Sequence, residues 1–358
     1  MLANDIAKGC QSRDGVLAAT VTKDTNRVNV LEPWTLTPGL DETSRWAFIV
    51  GAPRCGTTAM SEYLRAHPEV CFSTPKEPHY FLMHDLRGRE PAELRDVVRK
   101  KYLDPYFPER DRNALFAEGS VSYFYAPEHL EPILKLWPRA KFLIAVRNPL
   151  ELVPSLHQRV FYNGDDDVRD FDRAWDLVPE RRAGRNIPRS CLEPRFLDYW
   201  EAGFLGQHLE KFFSLVDRER CLVTVFDDFK ADPGREYRRV LEFLDLEDDG
   251  RTDFERHAES KDSRYAWLHR LMKRPPRSLL FLFDNEDRAV LEAGAGEPGP
   301  LLQKIMAVRT RIIHWNRIPA GKPKVGERVL NEMREMYRDD VAHLSQLLGR
   351  DLSHWVAR

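Results

Sequence analysis

Cysteine is scarce in this chain of 358 residues: Cys10, Cys55, Cys71, Cys191 and Cys221 are scattered and odd in number. They form no CxxC pair and no Cys/His cluster, which argues against a disulfide framework and against a zinc site. Long apolar runs are missing too. No stretch approaches the ~18 apolar residues that a bilayer-crossing helix needs, and residues 1–20 lack the apolar core and cleavage pattern of an export signal. The expectation is a cytoplasmic protein with no membrane span. Neither sign of charge dominates: Lys and Arg number 55 against 57 Asp and Glu, a formal net charge of −2. No global field draws the chain to nucleic acid, so an anion site has to be built locally. What remains is ordinary for a folded protein. The chain is 42% hydrophobic and long enough to bury a substantial core.

Residues 1–44 are polar and aperiodic, with Pro33, Pro38 and Gly39 as breakers, and read as an irregular arm. Residues 45–358 read as one domain. Residues 46–50 form a short apolar run ending at Gly51, a buried strand. Met60, Tyr63 and Leu64 then recur at helical spacing, and that helix stops before Pro68. Residues 70–72, 141–146 and 221–226 read as further strands. After the second of these, Asn148 suits an N-cap, Pro149 the first helical position and Glu151 the third, an Asn-x-x-Glu capping pattern. Asp232-Pro233 opens a helix with Tyr237, Val240, Leu241 and Leu244 on one face. Residues 250–318 are expected to be helical, broken at 272–276 and 294–300, and a last helix over 329–348 stops at Gly349. The predicted class is α/β, a mostly parallel sheet with helices on both faces and a helical C-terminal part. Such sheets bind ligands beyond the carboxyl ends of their strands.

The sharpest local signal is Gly51-Ala52-Pro53-Arg54-Cys55-Gly56-Thr57-Thr58, set between a strand and a helix. Its Gly-x-x-x-x-Gly spacing lets the backbone curl so that successive N–H groups face one anion, with the helix N-terminus behind them. A nucleotide kinase or ATPase follows the second glycine with Lys. Here that position is Thr57, and the basic residue has moved back to Arg54. An acidic magnesium ligand is also missing where the next strand ends, because Arg147 stands there. Arg147, with Ser155 two helical turns on, makes a candidate clamp for a second phosphate.

Together these two signals resemble the sulfotransferase superfamily, whose signatures are a G-x-P-R-S-G-T-T loop and a later R-D/N-P-x5-S element. The resemblance spans about residues 46–355. It includes Ala66-His67-Pro68-Glu69-Val70, Lys76-Glu77-Pro78-His79-Tyr80-Phe81 and Glu118-Gly119-Ser120-Val121-Ser122-Tyr123-Phe124. Val225-Phe226-Asp227-Asp228-Phe229 and the ending Leu347-Leu348-Gly349-Arg350-Asp351-Leu352-Ser353-His354-Trp355 match too. The pattern is closest to bacterial members and to the heparan sulfate and tyrosylprotein branches.

The resemblance implies a P-loop-like fold and transfer of a sulfuryl group from 3′-phosphoadenosine 5′-phosphosulfate to an acceptor hydroxyl or amine, without a metal. Adenosine 3′,5′-bisphosphate would be released. Carried over by position, Arg54, Cys55, Gly56, Thr57 and Thr58 would hold the 5′-phosphosulfate, and Arg147 and Ser155 the 3′-phosphate. Lys322 and Lys324, before the final helices, would close over the nucleotide. Glu77 is the first candidate for the base that takes the acceptor proton, with a pKa raised by burial beside Tyr80 and Phe81, and His79 is the second.

Three positions depart from the family pattern. Cys55 replaces the commoner Ser, and reads as a small buried residue rather than a reactive thiol. Gly119 stands where the heparan sulfate branch places a catalytic Lys. Pro154 precedes Ser155 and is expected to kink its helix. Residues 163–195, with Asp165, Asp166 and Asp167, read either as a cover over the acceptor site or as a solvated charged face. The amphipathic helices after Tyr265 suit binding of a lipid or a partner, but packing into the core is the favoured expectation. The acceptor, whether saccharide, lipid-linked or small metabolite, and the oligomeric state have no signature in the sequence. Two rival readings stay open, a nucleotide phosphotransferase with a degenerate loop and a non-catalytic nucleotide-binding protein on the same fold.

Overall fold

Strand β1 (Arg45–Gly51) runs through the middle of a parallel sheet and delivers the phosphate loop at its carboxyl end. The computed structural model describes residues 37–41, 43–109, 111, 114–191, 193–254, 261–273 and 300–357. Nearly all of the expected arm, and most of both breaks expected between 272 and 300, lie outside these residues.

Among the described residues the sheet has five strands in the order β2-β3-β1-β4-β5, all parallel. Besides β1 these are β2 (Val70–Phe72), β3 (Leu115–Glu118), β4 (Lys141–Val146) and β5 (Cys221–Val225). β3 carries no strand pattern of its own in the sequence, although it pairs with both β1 and β2. The chain turns from one side of β1 to the other between β3 and β4, and a crevice opens at such a reversal.

Both faces of β1 are covered. Trp46, Phe48 and Val50 pack into one core, while Ala47 and Ile49 face another. The second core takes the phosphate-loop helix (Thr57–Arg65) and the helix Pro233–Phe243, with Tyr63, Tyr237 and Val240 buried. The first takes the helix Pro149–Asn163, the helix Leu205–Phe213 and the last helix, Glu327–Leu348. Trp46 stacks on Trp137 at 4.1 Å. Both indole N–H groups donate to the Gly39 carbonyl, at 3.0 and 2.7 Å, and pin residues 37–41 against the sheet.

Local chemistry sets several boundaries. Asp232 accepts the Arg235 N–H at 2.9 Å and caps the helix Pro233–Phe243, a bond typically worth about 1 kcal/mol. Gly349 takes φ 62° and ends the last helix. Residue 226, expected in β5, instead begins the helix Phe226–Ala231.

Among the described residues after 250, the expected helix is only partly present. Lys261–Ser263 and Arg317–Pro319 form a two-stranded antiparallel ribbon, β6 and β7, around the helices Ala266–Lys273 and Pro300–Asn316. These helices do not bury their apolar faces wholly. His269 is buried, but Trp267 and Trp315 are exposed, and the core-packing expectation fails for those two.

Candidate functional site

The phosphate loop starts at Gly51, with φ 152°. A Cβ there would stand 2.4 Å from Cβ of Phe124 and 2.9 Å from the Val121 carbonyl, so only glycine lets β1 pass this segment. The Ala52 N–H donates to the Ala145 carbonyl at 2.7 Å and ties the loop to β4. Arg54 and Gly56 both adopt left-handed backbone, at φ 66° and 86°. For a non-glycine residue that conformation costs about 1–2 kcal/mol. Gly56 caps the phosphate-loop helix, and Thr57 and Thr58 open it. As at every helix start, the first N–H groups have no carbonyl partner within the helix and can serve an anion.

Cys55 is buried, and burial pushes its thiol up to about 12 against the opposing pull of Arg147 and Arg54. A thiol raised this far stays neutral near pH 7.

Three arginines crowd this loop. Burial, then the charges of Arg159 and Arg147, push the Arg54 guanidinium down to about 10, still protonated at neutral pH. Its Nε donates to Ser155 Oγ at 2.9 Å. Arg147 donates through Nη1 to the Arg54 carbonyl at 3.0 Å and lies 4.5 Å over the Phe226 ring. Glu151 does not complete the expected capping box. Asn148 Oδ1 accepts the Leu150 N–H at 2.9 Å, but Glu151 Oε2 takes Nη2 and Nε of Arg147, at 2.8 and 3.2 Å. Bonds from a guanidinium to a carboxylate are stronger than a neutral cap bond, so Arg147 wins.

The helix continues unbroken through Pro154 to Asn163, and Ser155, buried beneath the loop, aims its hydroxyl at Arg54. Lys322 and Lys324 are exposed on the turn that follows β7. That turn is moored at both ends. Gln158, three residues past Ser155, donates to the Gly321 carbonyl at 3.1 Å, and the Gly326 N–H donates to Asp172 at 3.0 and 3.1 Å. Farther back, Asn148 donates to the Trp355 carbonyl at 3.3 Å and the Trp355 indole to Asp227 at 2.9 Å. Three separate sequence motifs thereby meet behind Arg147.

Glu77 and His79 sit on the other side of β1, held by the segment that follows β3. Ser120 Oγ accepts the His79 N–H at 2.9 Å, and Ser122 Oγ lies 2.7 Å from His79 Nδ1. The same segment packs on Gly51, which brings the pair beside the phosphate loop. Glu77 Oε2 lies 3.4 Å from His79 Nε2, and Oε1 contacts the Lys76 ammonium.

The expected raised pKa is absent at Glu77. Burial does push the carboxyl up, but the His79 hydrogen bond and the Lys76 charge outweigh it and bring it down to about 2. A neighbouring carboxyl that does rise is Glu118 at the end of β3. Burial takes it up to about 7, against a 2.7 Å bond from Tyr102. Glu118, Ser120 and Ser122 lie in a stretch the sequence flagged, but their roles needed the fold.

Residues 163–195 are not a solvated face at Asp165 and Asp166, both of which are buried. Asp166 accepts two bonds from Arg181, at 2.9 and 2.7 Å, and one from Tyr199 at 2.6 Å. An ion pair so fully desolvated needs each of those bonds, and its place is structural.

Among the described residues no helix is long and apolar enough to cross a membrane. Comparison with known proteins bears on the whole arrangement. Over 221 residues the chain is 28% identical to heparan sulfate glucosamine 3-O-sulfotransferase 3A1 of Mus musculus, covering 60% of this chain and 50% of that protein. Over 244 residues it is 23% identical to human carbohydrate sulfotransferase 15, covering 56% and 43%. It thus spans about half the length of these curated relatives. In three dimensions it is similar to a sulfotransferase from Alicyclobacillus acidocaldarius, with a TM-score of 0.55 at 22% identity over 87% of this chain and 98% of that one. At that identity the likeness speaks for the fold. The model of the Sulfotransferase family matches residues 47–250, more than half of the chain and the stretch that holds Arg54, Glu77, Arg147 and Ser155. This chain belongs to the sulfotransferase family.

Proposed function

We propose that the chain transfers a sulfuryl group from 3′-phosphoadenosine 5′-phosphosulfate to an acceptor hydroxyl or amine. The observation that carries this reading is the convergence of Arg54, Arg147 and Ser155 at a phosphate loop whose usual lysine is Thr57. The residues fit a doubly anionic ligand: crowded guanidiniums, a serine hydroxyl and a helix N-terminus meet at one edge of the sheet. When bound, the nucleotide supplies the sulfuryl group and leaves as adenosine 3′,5′-bisphosphate.

The first turn of the phosphate-loop helix, with Thr57 and Thr58, holds the 5′ end. Arg54 stabilises charge left on the departing phosphate, an effect worth about 3–4 kcal/mol for one well-placed donor. Arg147 and Ser155 grip the 3′-phosphate, and Lys322 and Lys324 close over the nucleotide from their moored turn. Glu77 takes the acceptor proton, with His79 to orient it; held ionised by His79 and Lys76, it is free to accept but is a weaker base than one tuned near neutrality. The chemistry needs donors and no metal ligand, and it unites residues 45–358 in one working unit.

A saccharide is the favoured acceptor, since relatives of this chain carry names of glucosamine and carbohydrate sulfotransferases. The reducing cytoplasm suits the four described cysteines, all free. The rival phosphotransferase reading loses ground to the family match, and the non-catalytic one to the presence of Glu77 beside the loop.

The test is thermal. Adenosine 3′,5′-bisphosphate should raise the melting temperature without added metal, and more than AMP does, because ligand bound only to the folded state stabilises by mass action. Arg147→Ala should remove the advantage of the bisphosphate over AMP. Equal stabilisation of the parent protein by both nucleotides contradicts the 3′-phosphate clamp.

A further inference from the structure

Lys76 stands next to Glu77 in sequence, yet it is not a surface ion-pair partner of the usual kind. Only 14% of its side chain is exposed. Its stem runs over Gly119, just past the end of β3. A Cβ at Gly119 would lie 3.2 Å from Cε and 3.4 Å from Cγ of Lys76, and 2.9 Å from the Ser61 hydroxyl. Ser61 belongs to the phosphate-loop helix, where it donates to the Thr57 carbonyl at 2.7 Å. The missing side chain at residue 119 is therefore the space that lets Lys76 cross between that helix and Glu77. The Gly119 N–H also donates to the Lys76 carbonyl at 3.0 Å, fixing the backbone from which the stem departs.

An ammonium taken this far out of water is costly to keep unless its partner repays it. The partner is one oxygen of the candidate base. We propose that Lys76 is a positioning residue for the transfer: reaching over Gly119, its ammonium fixes Oε1 of Glu77 so that Oε2, which His79 Nε2 faces at 3.4 Å, takes the acceptor proton. The proposal rests on the sulfotransferase reading and on Glu77 as its base. In the step itself the acceptor proton passes to Glu77 as the acceptor oxygen or nitrogen bonds to sulfur. The sulfur–oxygen bond to the phosphate breaks, and its electron pair stays on the phosphate. Lys76 exchanges no proton. The charged and titratable groups around Glu77 are Lys76 beside it, His79 on the following turn, and Glu118 beyond His79.

The experiment follows release of adenosine 3′,5′-bisphosphate from 3′-phosphoadenosine 5′-phosphosulfate, with water as acceptor, across the acid limb of the pH profile. Lys76→Ala should bind the bisphosphate as the parent does and lose about 10²-fold in rate, the scale of a misplaced catalytic group. Its acid limb should move up as Glu77 returns toward the ordinary carboxyl range. The double variant Lys76→Ala/Gly119→Lys returns a cation to the same space and should recover most of the rate and the parent's acid limb. Lys76→Arg, which keeps the charge without touching Gly119, should hold the acid limb near its parent position. The proposal is overturned if Lys76→Ala keeps both rate and limb. It is also overturned if the double variant binds the bisphosphate but stays as slow as Lys76→Ala, or if the Arg variant's limb moves as the Ala variant's does. A parent protein that binds no bisphosphate refutes the sulfotransferase reading itself and takes the proposal with it. Binding without these shifts refutes the role of Lys76 alone.

Discussion

Arg54 and Ser155 lie 101 positions apart in sequence and are joined by a 2.9 Å hydrogen bond from Nε to Oγ. The bond connects the loop after β1 to the helix after β4, across the place where the sheet reverses its order. In the proposed function these two residues serve opposite ends of one nucleotide. Bound ligand would replace their mutual bond with bonds to phosphate, which are charge-assisted and stronger.

Ser155→Ala tests that exchange. The change removes one hydroxyl from a buried helical position and should leave the fold intact. Binding of adenosine 3′,5′-bisphosphate, measured by calorimetry, should weaken by about 10- to 100-fold, the usual scale for a hydrogen bond to a charged group. AMP, which has no 3′-phosphate, should bind nearly as before. An equal loss for both nucleotides would place Ser155 elsewhere in the site.

Much of this arrangement is legible in the sequence. β1, β4 and the body of β5 are apolar runs long enough to announce themselves, and Asn148, Asp232 and Gly349 mark their helix ends by local chemistry alone. β3 is different. Leu115–Glu118 is four residues long, ends in a carboxylate and takes its place from pairing with β1 and β2 rather than from any pattern of its own. The ribbon of β6 and β7 pairs Lys-Asp-Ser with Arg-Ile-Pro, which show no strand alternation at all. In the site, the loop motif and Arg147 can be read from spacing. The low pKa of Glu77 cannot, because it depends on Lys76 and His79 meeting one carboxylate in space. Glu151 shows the same limit: its spacing fits a capping box, yet a nearby guanidinium claims it.

Glu118 should leave a mark on stability. Burial holds its folded pKa at about 7, above the value near 4.3 of an unfolded chain. A carboxyl raised on folding contributes stability that is full below the unfolded value and is lost as pH rises through the folded one. Glu118→Gln has no charge to bury and can still accept the Tyr102 bond. Between about pH 4 and about pH 8 the melting temperature of the parent should fall relative to that of the variant. Parallel curves would show that Glu118 does not titrate in this window.

The roles of Glu77 and His79 separate by substitution. Glu77→Gln keeps the shape of the side chain and removes its ability to take a proton. It should lower turnover by about 10²–10⁴ while nucleotide affinity stays within a few-fold. His79→Ala should cost less, since His79 acts through Glu77. The order of the two losses, in rates taken under conditions where chemistry limits turnover, decides the assignment. A dead His79→Ala beside an active Glu77→Gln reverses the roles.

The most direct test of sulfuryl transfer itself is a labelled-sulfate assay. 3′-Phosphoadenosine 5′-phosphosulfate carrying labelled sulfur is incubated with the protein, a chelator and fractionated saccharide acceptors from the source organism. Label should appear in a saccharide fraction, with one adenosine 3′,5′-bisphosphate released for each sulfuryl group moved, and both signals should be lost in Glu77→Gln. Tight binding of the bisphosphate with no label moved to any acceptor, or label moved equally well by Glu77→Gln, would contradict it.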